Sequence, residues 1–359
     1  MKEIARKNYT VVIEDPVMHV DNEARRRSGH MSHAMTEFAP NCFIDFNANY
    51  SAVRKGGHYC YGWVEYCISR DGGKTYSELR EFPYSRKSFE DGLFTISVEK
   101  AVTAPDGTIL AFCLRNSALE QMFCVPWETP TVVRSRDQGE TWEEADDTCF
   151  PYKGRIYDAF VRDGVIYVLQ FCNDYMWGET DEHKYRLYKS FDNGETFEEI
   201  SVIPFTIATR AYGAMIFDTE NVLHAYVYIK SDELHLDHAI SKDEGKTWEI
   251  IDQVYVDQAI RNPQIELIDG VYVMHGRSHC LGDEGQYPGD SFVLYTSEDA
   301  YHWDEAIVMV TTKSAGQFYS ENLKLKDENG NFLLVQYSEV FSGKGFQVNV
   351  KQLKLRIKR

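Results

Sequence analysis

Glu99, Asp158 and Glu321 are carboxylates that each sit near the start of an apolar, strand-like segment. Such groups suit general acid–base work, which needs a side chain poised near the working pH. Arg115, Arg210, Arg261 and Arg277 fall at, or one hairpin beyond, similar starts; Tyr212 follows Arg210 by two residues and Tyr319 precedes Glu321 by two. An arginine holds a carboxylate through two parallel hydrogen bonds. Four guanidinium groups around one point, in a chain of formal charge −18, therefore suggest an anionic sugar of the sialic- or uronic-acid type. The same arginines could instead bridge internal Asp and Glu residues. His30 and His33 form a further pair, but three-residue spacing on an irregular segment is poor metal-ligand geometry. His33 is read as a substrate-binding group, and neither a metal nor a cofactor is expected.

These residues are far apart in sequence, so a repeated scaffold must gather them. Four segments share the pattern Ser-x-Asp-x-Gly-x-Thr-aromatic, beginning at Ser69, Ser135, Ser190 and Ser241. A fifth begins at Ser297, is one residue shorter and lacks the glycine. In such a turn the Asp and Ser or Thr side chains bond nearby amides and Gly takes positive φ at low cost. The spacing of 51 to 66 residues between first serines is the length of a four-stranded blade with its loops. Between these turns lie hairpin signals such as Asp106-Gly107, Asp163-Gly164 and Asp269-Gly270. Asn329-Gly330 and the alternating run Phe346 to Ile357 make a sixth unit. Tyr9 to Glu14 reads as a strand that pairs with the last blade and closes the ring, which removes exposed edges. The expected fold is all-β: one domain over residues 1–359, a six-bladed propeller of four-stranded antiparallel blades. The octapeptides belong to its rim, and the chemistry to the innermost strands around its axis.

Repeats of this kind, known as Asp-boxes, around a six-bladed propeller resemble the sialidase superfamily over nearly the whole chain. The resemblance implies that Tyr319, in Tyr319-Ser320 ahead of the Glu328-Asn329-Gly330 turn and an apolar strand, is the nucleophile. A phenol does not repel a sugar carboxylate, but it needs a carboxylate to take its proton, and Glu99 is the first choice. Arg277, in Gly276-Arg277-Ser278, is similar to one member of the family's arginine triad. The family's Arg-Ile-Pro signature has no counterpart in Thr36 to Asp45, and Asn262 stands where the family's Asn-Glu-x-Gln has its Glu. A glycoside hydrolase acting on another acidic glycan is thus the leading expectation. A uronate lyase and a non-catalytic carbohydrate-binding propeller are the alternatives.

The acidic balance excludes a phosphate-backbone partner, since nucleic-acid affinity rests on clustered Lys and Arg. It excludes a polybasic membrane anchor for the same reason. No apolar run is long enough to span a bilayer, and the opening segment lacks the apolar core of a secretory signal. Eight scattered cysteines form no CxxC pair and read as reduced thiols of a cytoplasmic protein. The sequence sets no oligomeric state.

Overall fold

The computed structural model describes residues 1–27, 33–53, 61–117, 127–173, 183–206, 210–229, 232–280, 289–312, 318–341 and 348–359. Side-chain positions are described for these residues other than 33, 48–53, 61, 117, 210, 211, 279, 280 and 289.

The octapeptides form the turns their chemistry requires. The Ser69 hydroxyl accepts from the Gly73 amide at 2.9 Å, while Asp71 accepts from the Thr75 amide at 2.9 Å and its hydroxyl at 2.6 Å. The same bonds recur around Asp137, Asp192 and Asp243. In the fifth turn Ala300 adopts φ 63° in place of glycine. There His302 Nδ1 replaces the threonine hydroxyl on Asp299, at 2.8 Å. Glycine also serves packing: a Cβ on Gly194 or Gly245 would stand 2.0 Å from Leu110 or Leu187 of the preceding sheet. Each turn therefore seats against its neighbour, and the closing aromatic reaches back with it. Trp142 lies edge-on to Phe46, Tyr66 and Phe82 at 5.6, 5.7 and 5.0 Å.

Six antiparallel sheets result, each wound outward from an innermost strand. The innermost strands are His33–Ala39, Phe94–Thr103, Gly154–Arg162, Arg210–Phe217, Arg261–Ile268 and Ser320–Asp327. Each adjoins the next, and the last adjoins the first, so the ring closes. The first, third, fourth and fifth sheets have four strands. The second has three, its outer place held by a two-way backbone pair between Val132 and Asp146, both bonds 2.9 Å. The sixth takes Thr10–Ile13 as its fourth strand beside Val348–Lys358, as the N-terminal pattern predicts, and adds Lys2–Ala5 and Val17–Val20. Buried apolar clusters lie between successive sheets, for example Ile44 with Ile109, Leu187 with Ala225, and Leu294 with Leu333. A helix, Pro83–Asp91, stands between the first and second sheets. Proline fixes its first turn, and Gly92 at φ 71° ends it. No helix among the described residues is long and apolar enough to cross a membrane.

Candidate functional site

Four consecutive innermost strands carry a β-bulge in their first half or near their middle. The register slips at Glu99, at Tyr157, between Arg210 and Gly213, and between Arg261 and Gln264. A bulge inserts one unpaired residue and re-aims its side chain. The residues so placed include Glu99, Tyr157, Tyr212 and Asn262, all at one level of the axis, with Asn262 at φ 51°.

At this level a tyrosine–arginine cluster converges. Tyr212 sits 5.0 Å from Tyr157, 5.9 Å from Tyr228 and 6.4 Å from Tyr319, ring centre to ring centre. Arg155 lies over Trp127, Tyr157 and Tyr212 at 5.2, 5.4 and 5.2 Å. It grips one Glu99 oxygen through Nε and Nη2, at 2.9 and 2.5 Å, and reaches the Tyr212 hydroxyl with Nη1 at 3.4 Å. The second Glu99 oxygen, Oε1, is buried without a hydrogen-bond partner. Arg261 pairs with Glu233 and lies 5.8 Å over Tyr228. Arg277 stands 5.1 Å over the Tyr319 ring, 6% exposed. Its Nε has no partner, and no carboxylate lies within ion-pair distance of its guanidinium among the described residues; burial would lower the guanidinium, but Tyr319 and the more distant Asp290 charge outweigh this and raise it. Burial raises the Tyr319 phenol well above its ordinary range; the Tyr212 hydroxyl adds to this, and the Arg277 and Arg155 charges oppose it. Burial likewise pushes the Glu99 carboxyl up, against the pull of Arg155.

One step further along the same strands, Lys100 spans the axis. Its Nζ donates to Glu321 Oε2 at 2.7 Å and to Gln264, and stands 3.4 Å from Asp158. Asp158 also accepts from the Met215 amide at 2.7 Å and the Ala159 amide at 2.9 Å. Burial raises the Glu321 carboxyl, and Lys100 opposes it. Burial would lower the Lys100 ammonium, but the two carboxylates win and hold it above its usual value. This plug borders a cavity of about 490 Å³, lined by residues of all six innermost strands. Tyr319 and Arg277 are not among its walls.

The structure thus gathers Tyr319, Arg277, Tyr212, Arg261 and Glu99 into one cluster and places Asp158 and Glu321 in the adjoining plug. Glu99 is occupied by Arg155 rather than set against Tyr319, so the activating contact expected from sequence is not the contact it makes. Arg115 lies elsewhere: it donates to the Thr129 carbonyl and hydroxyl at 3.0 and 2.5 Å and meets Asp147 at 3.4 Å. The reason is register. Arg277 lies two residues beyond His275, which faces Gln264 after the bulge; two beyond Phe112, which faces Lys100, is Leu114. Arg115 is one residue too far, and a one-residue offset turns a side chain to the opposite face. The side chains of His33 and Arg210 lie outside the described residues, as does His30. Sequence reasoning passed over Arg155, Tyr228 and Glu233. The signal for Arg155 was present, because Arg155-Ile156-Tyr157 repeats the Arg-x-Tyr of Arg210-Ala211-Tyr212.

No protein-family model matches the sequence, and no curated protein matches it significantly. Solved structures do. A protein of unknown function from Dyadobacter fermentans superposes with a TM-score of 0.69 at 14% identity, covering 97% of this chain and 99% of that one. The Hadza microbial sialidase Hz136 gives 0.65 at 13%, covering 96% and 68%. A point mutant of the NanB sialidase from Streptococcus pneumoniae gives 0.64 at 12%, covering 95% and 70%. At such identities the likeness is one of fold, and the chain has the six-bladed propeller fold of the sialidases.

Proposed function

We propose that the protein is a glycoside hydrolase that releases an anionic sugar, with Arg277 receiving the carboxylate and Tyr319 attacking the anomeric carbon. One observation carries this reading: a buried guanidinium that makes no ion pair among the described residues, with Asp290 acting on it only at longer range, rests over the ring of that tyrosine. A buried charge is costly unless paired, and a bound carboxylate would supply the missing partner. The tyrosines around it offer flat, amphipathic walls to a sugar ring. Glu233 and Glu99 already neutralise Arg261 and Arg155, which leaves Arg277 as the anchor. The fold of the sialidases supports the reading by analogy.

A second reading, binding without turnover, is favoured by one specific contact. The carboxylate expected to activate Tyr319 is held by Arg155 instead. Tyr319→Phe separates the two. Aryl glycosides of acidic sugars are screened for turnover, and the free acidic sugars for binding by calorimetry. Hydrolysis by the wild type, lost on the order of 10³-fold in Tyr319→Phe with binding kept, is the expected outcome. Equal turnover in Tyr319→Phe would remove this tyrosine from the mechanism, and binding with no turnover in the wild type would leave the second reading.

A further inference from the structure

Away from the axis, where the ring closes, three buried metal-ligating side chains meet. Asp45 and Cys67 face each other directly on neighbouring antiparallel strands of the first sheet, a placement that brings their Cβ atoms within about 5 Å. His19 comes from Val17–Val20, the short strand beside Val348–Lys358. Its Nε2 is 2.6 Å from Asp45 Oδ2, and the donor atoms of all three residues lie within 4.8 Å of one another. The His19 and Asp45 side chains are 3% and 0% exposed, and Cys67 is 2% exposed.

Two further observations point to a missing positive charge. Among the described residues no lysine or arginine lies within ion-pair distance of Asp45, whose one ion-pair partner is His19. Gln336, fully buried, donates Nε2 to Asp45 Oδ2 at 2.6 Å, and its own Oε1 has no partner. Asn47, 3% exposed, repeats this: Nδ2 reaches Asp45 Oδ1 at 3.3 Å and Oδ1 is unpartnered. Both amides turn their donors to the carboxylate and leave an acceptor unused, although a buried unpaired acceptor is costly.

We propose that His19, Asp45 and Cys67 bind a zinc-class divalent cation, with the Gln336 amide oxygen as the fourth donor. Imidazole nitrogen, thiolate and carboxylate are the ligand types that zinc takes in tetrahedral sites. Binding releases the Cys67 thiol proton to solvent, and the Cys67 thiolate and Asp45 carboxylate then cancel the two positive charges. A half-turn of the Gln336 amide presents Oε1 to the ion in place of Nε2. Metal–ligand bonds of about 2.0–2.1 Å set tetrahedral donors about 3.3 Å apart, so His19 and Asp45 separate slightly to admit the ion. The four-residue strand that carries His19 is the element that moves. The ion would tie the first sheet to the sixth sheet through its short strand Val17–Val20.

The test uses the full chain. Wild type, Cys67→Ser and His19→Gln are unfolded in denaturant and refolded with zinc, with cobalt or with a chelator, so that the buried site is open to metal. Wild type should retain about one zinc per chain after desalting, and cobalt should give the near-ultraviolet thiolate-to-cobalt band. Cys67→Ser should lose that band and His19→Gln should weaken zinc retention at least tenfold, with unchanged far-ultraviolet circular dichroism. The chelator should lower the wild-type melting temperature and leave Cys67→Ser unmoved. Wild type that holds less than about a tenth of an equivalent of either metal, or a cobalt band that persists in Cys67→Ser, overturns the proposal. If Cys67→Ser does not refold, His19→Gln decides by the same zinc measurement.

Discussion

Of the buried cations near the axis of this propeller, Lys100 and Arg277 are treated in opposite ways. Lys100 has Glu321, Asp158 and Gln264 within reach, drawn from three other blades. Arg277 has an aromatic face and no ion pair among the described residues, with Asp290 felt only at longer range. The backbone explains both. Lys100 follows directly on a bulge and reaches across to three other innermost strands, where carboxylates can meet it. Arg277 sits on a second strand, one layer out, and points at the cluster without meeting an acid. A satisfied buried charge holds the ring; on the function proposed above, the one without an ion pair would wait for a ligand, and the two tiers of one axis would divide structure from recognition.

Removing each cation should break the symmetry of that pair. Lys100→Met leaves Asp158 and Glu321 buried beside each other without a counter-charge and should cost about 3–5 kcal/mol of stability. Glu321→Gln added to it should recover part of the loss. Arg277→Met removes a charge that has no ion pair and only the longer-range support of Tyr319 and Asp290, so its denaturation midpoint should fall much less than that of Lys100→Met, while binding of acidic sugars disappears. Urea midpoints with calorimetry on both variants check this. Equal destabilisation by the two would show that Arg277 is as firmly paired as Lys100, and the division would fall.

A smaller effect comes from His275, which links the plug to the fifth sheet. Its Nδ1 is 2.9 Å from the Ser320 hydroxyl, and its Nε2 accepts from Asn322 Nδ2 at 3.0 Å. A proton on Nε2 would face that donor. Burial first, and the Lys100 charge second, push the imidazole down to about 3. Because the folded value lies below the unfolded one, this histidine's contribution is complete above about pH 6.5. It is lost as pH falls toward 3, when the unfolded chain binds the extra proton. Between pH 7 and 5 the loss is about 2 kcal/mol. His224 and His238 are lowered by burial too and share the window, whereas Glu99 and Glu321, raised by burial, act in the opposite sense. His275→Gln isolates the one group: its stability profile should be flatter than wild type by that amount, and parallel profiles would refute the assignment.

How much of this the sequence carries depends on whether a feature is local. The octapeptide turns are legible because every bond in them joins residues at most four apart, and their spacing then predicts blades and a closed ring. Tyr319 and Tyr212 follow from position within a repeat. What stays hidden is pairing across the axis. Nothing in the segments around Glu99 and Arg155 says that these two will meet across 56 residues, so a carboxylate read as a base for Tyr319 is found holding an arginine. The His19, Asp45 and Cys67 group is hidden for the same reason, since its members come from three strands in two sheets. The helix Pro83–Asp91 was missed because the Pro83 that starts it reads equally well as a loop signal.

Arg115 tests the finest part of the comparison, the register that separates it from Arg277. Both follow an innermost strand by one hairpin, and a repeat count alone makes them equivalent. Counted from the bulge they differ by one residue, which sends Arg115 into a pocket lined by Tyr84, Phe94 and Asp147 beside the helix. Its ion pair there is weak, because Asp147 is 57% exposed and water screens it; its bonds to Thr129 are the larger contribution. Arg115→Gln should therefore cost about 1 kcal/mol and change ligand binding less than about twofold, set against the complete loss expected of Arg277→Met. A large binding defect in Arg115→Gln, measured beside that variant under the same conditions, would mean that both arginines serve one site and that the register argument fails.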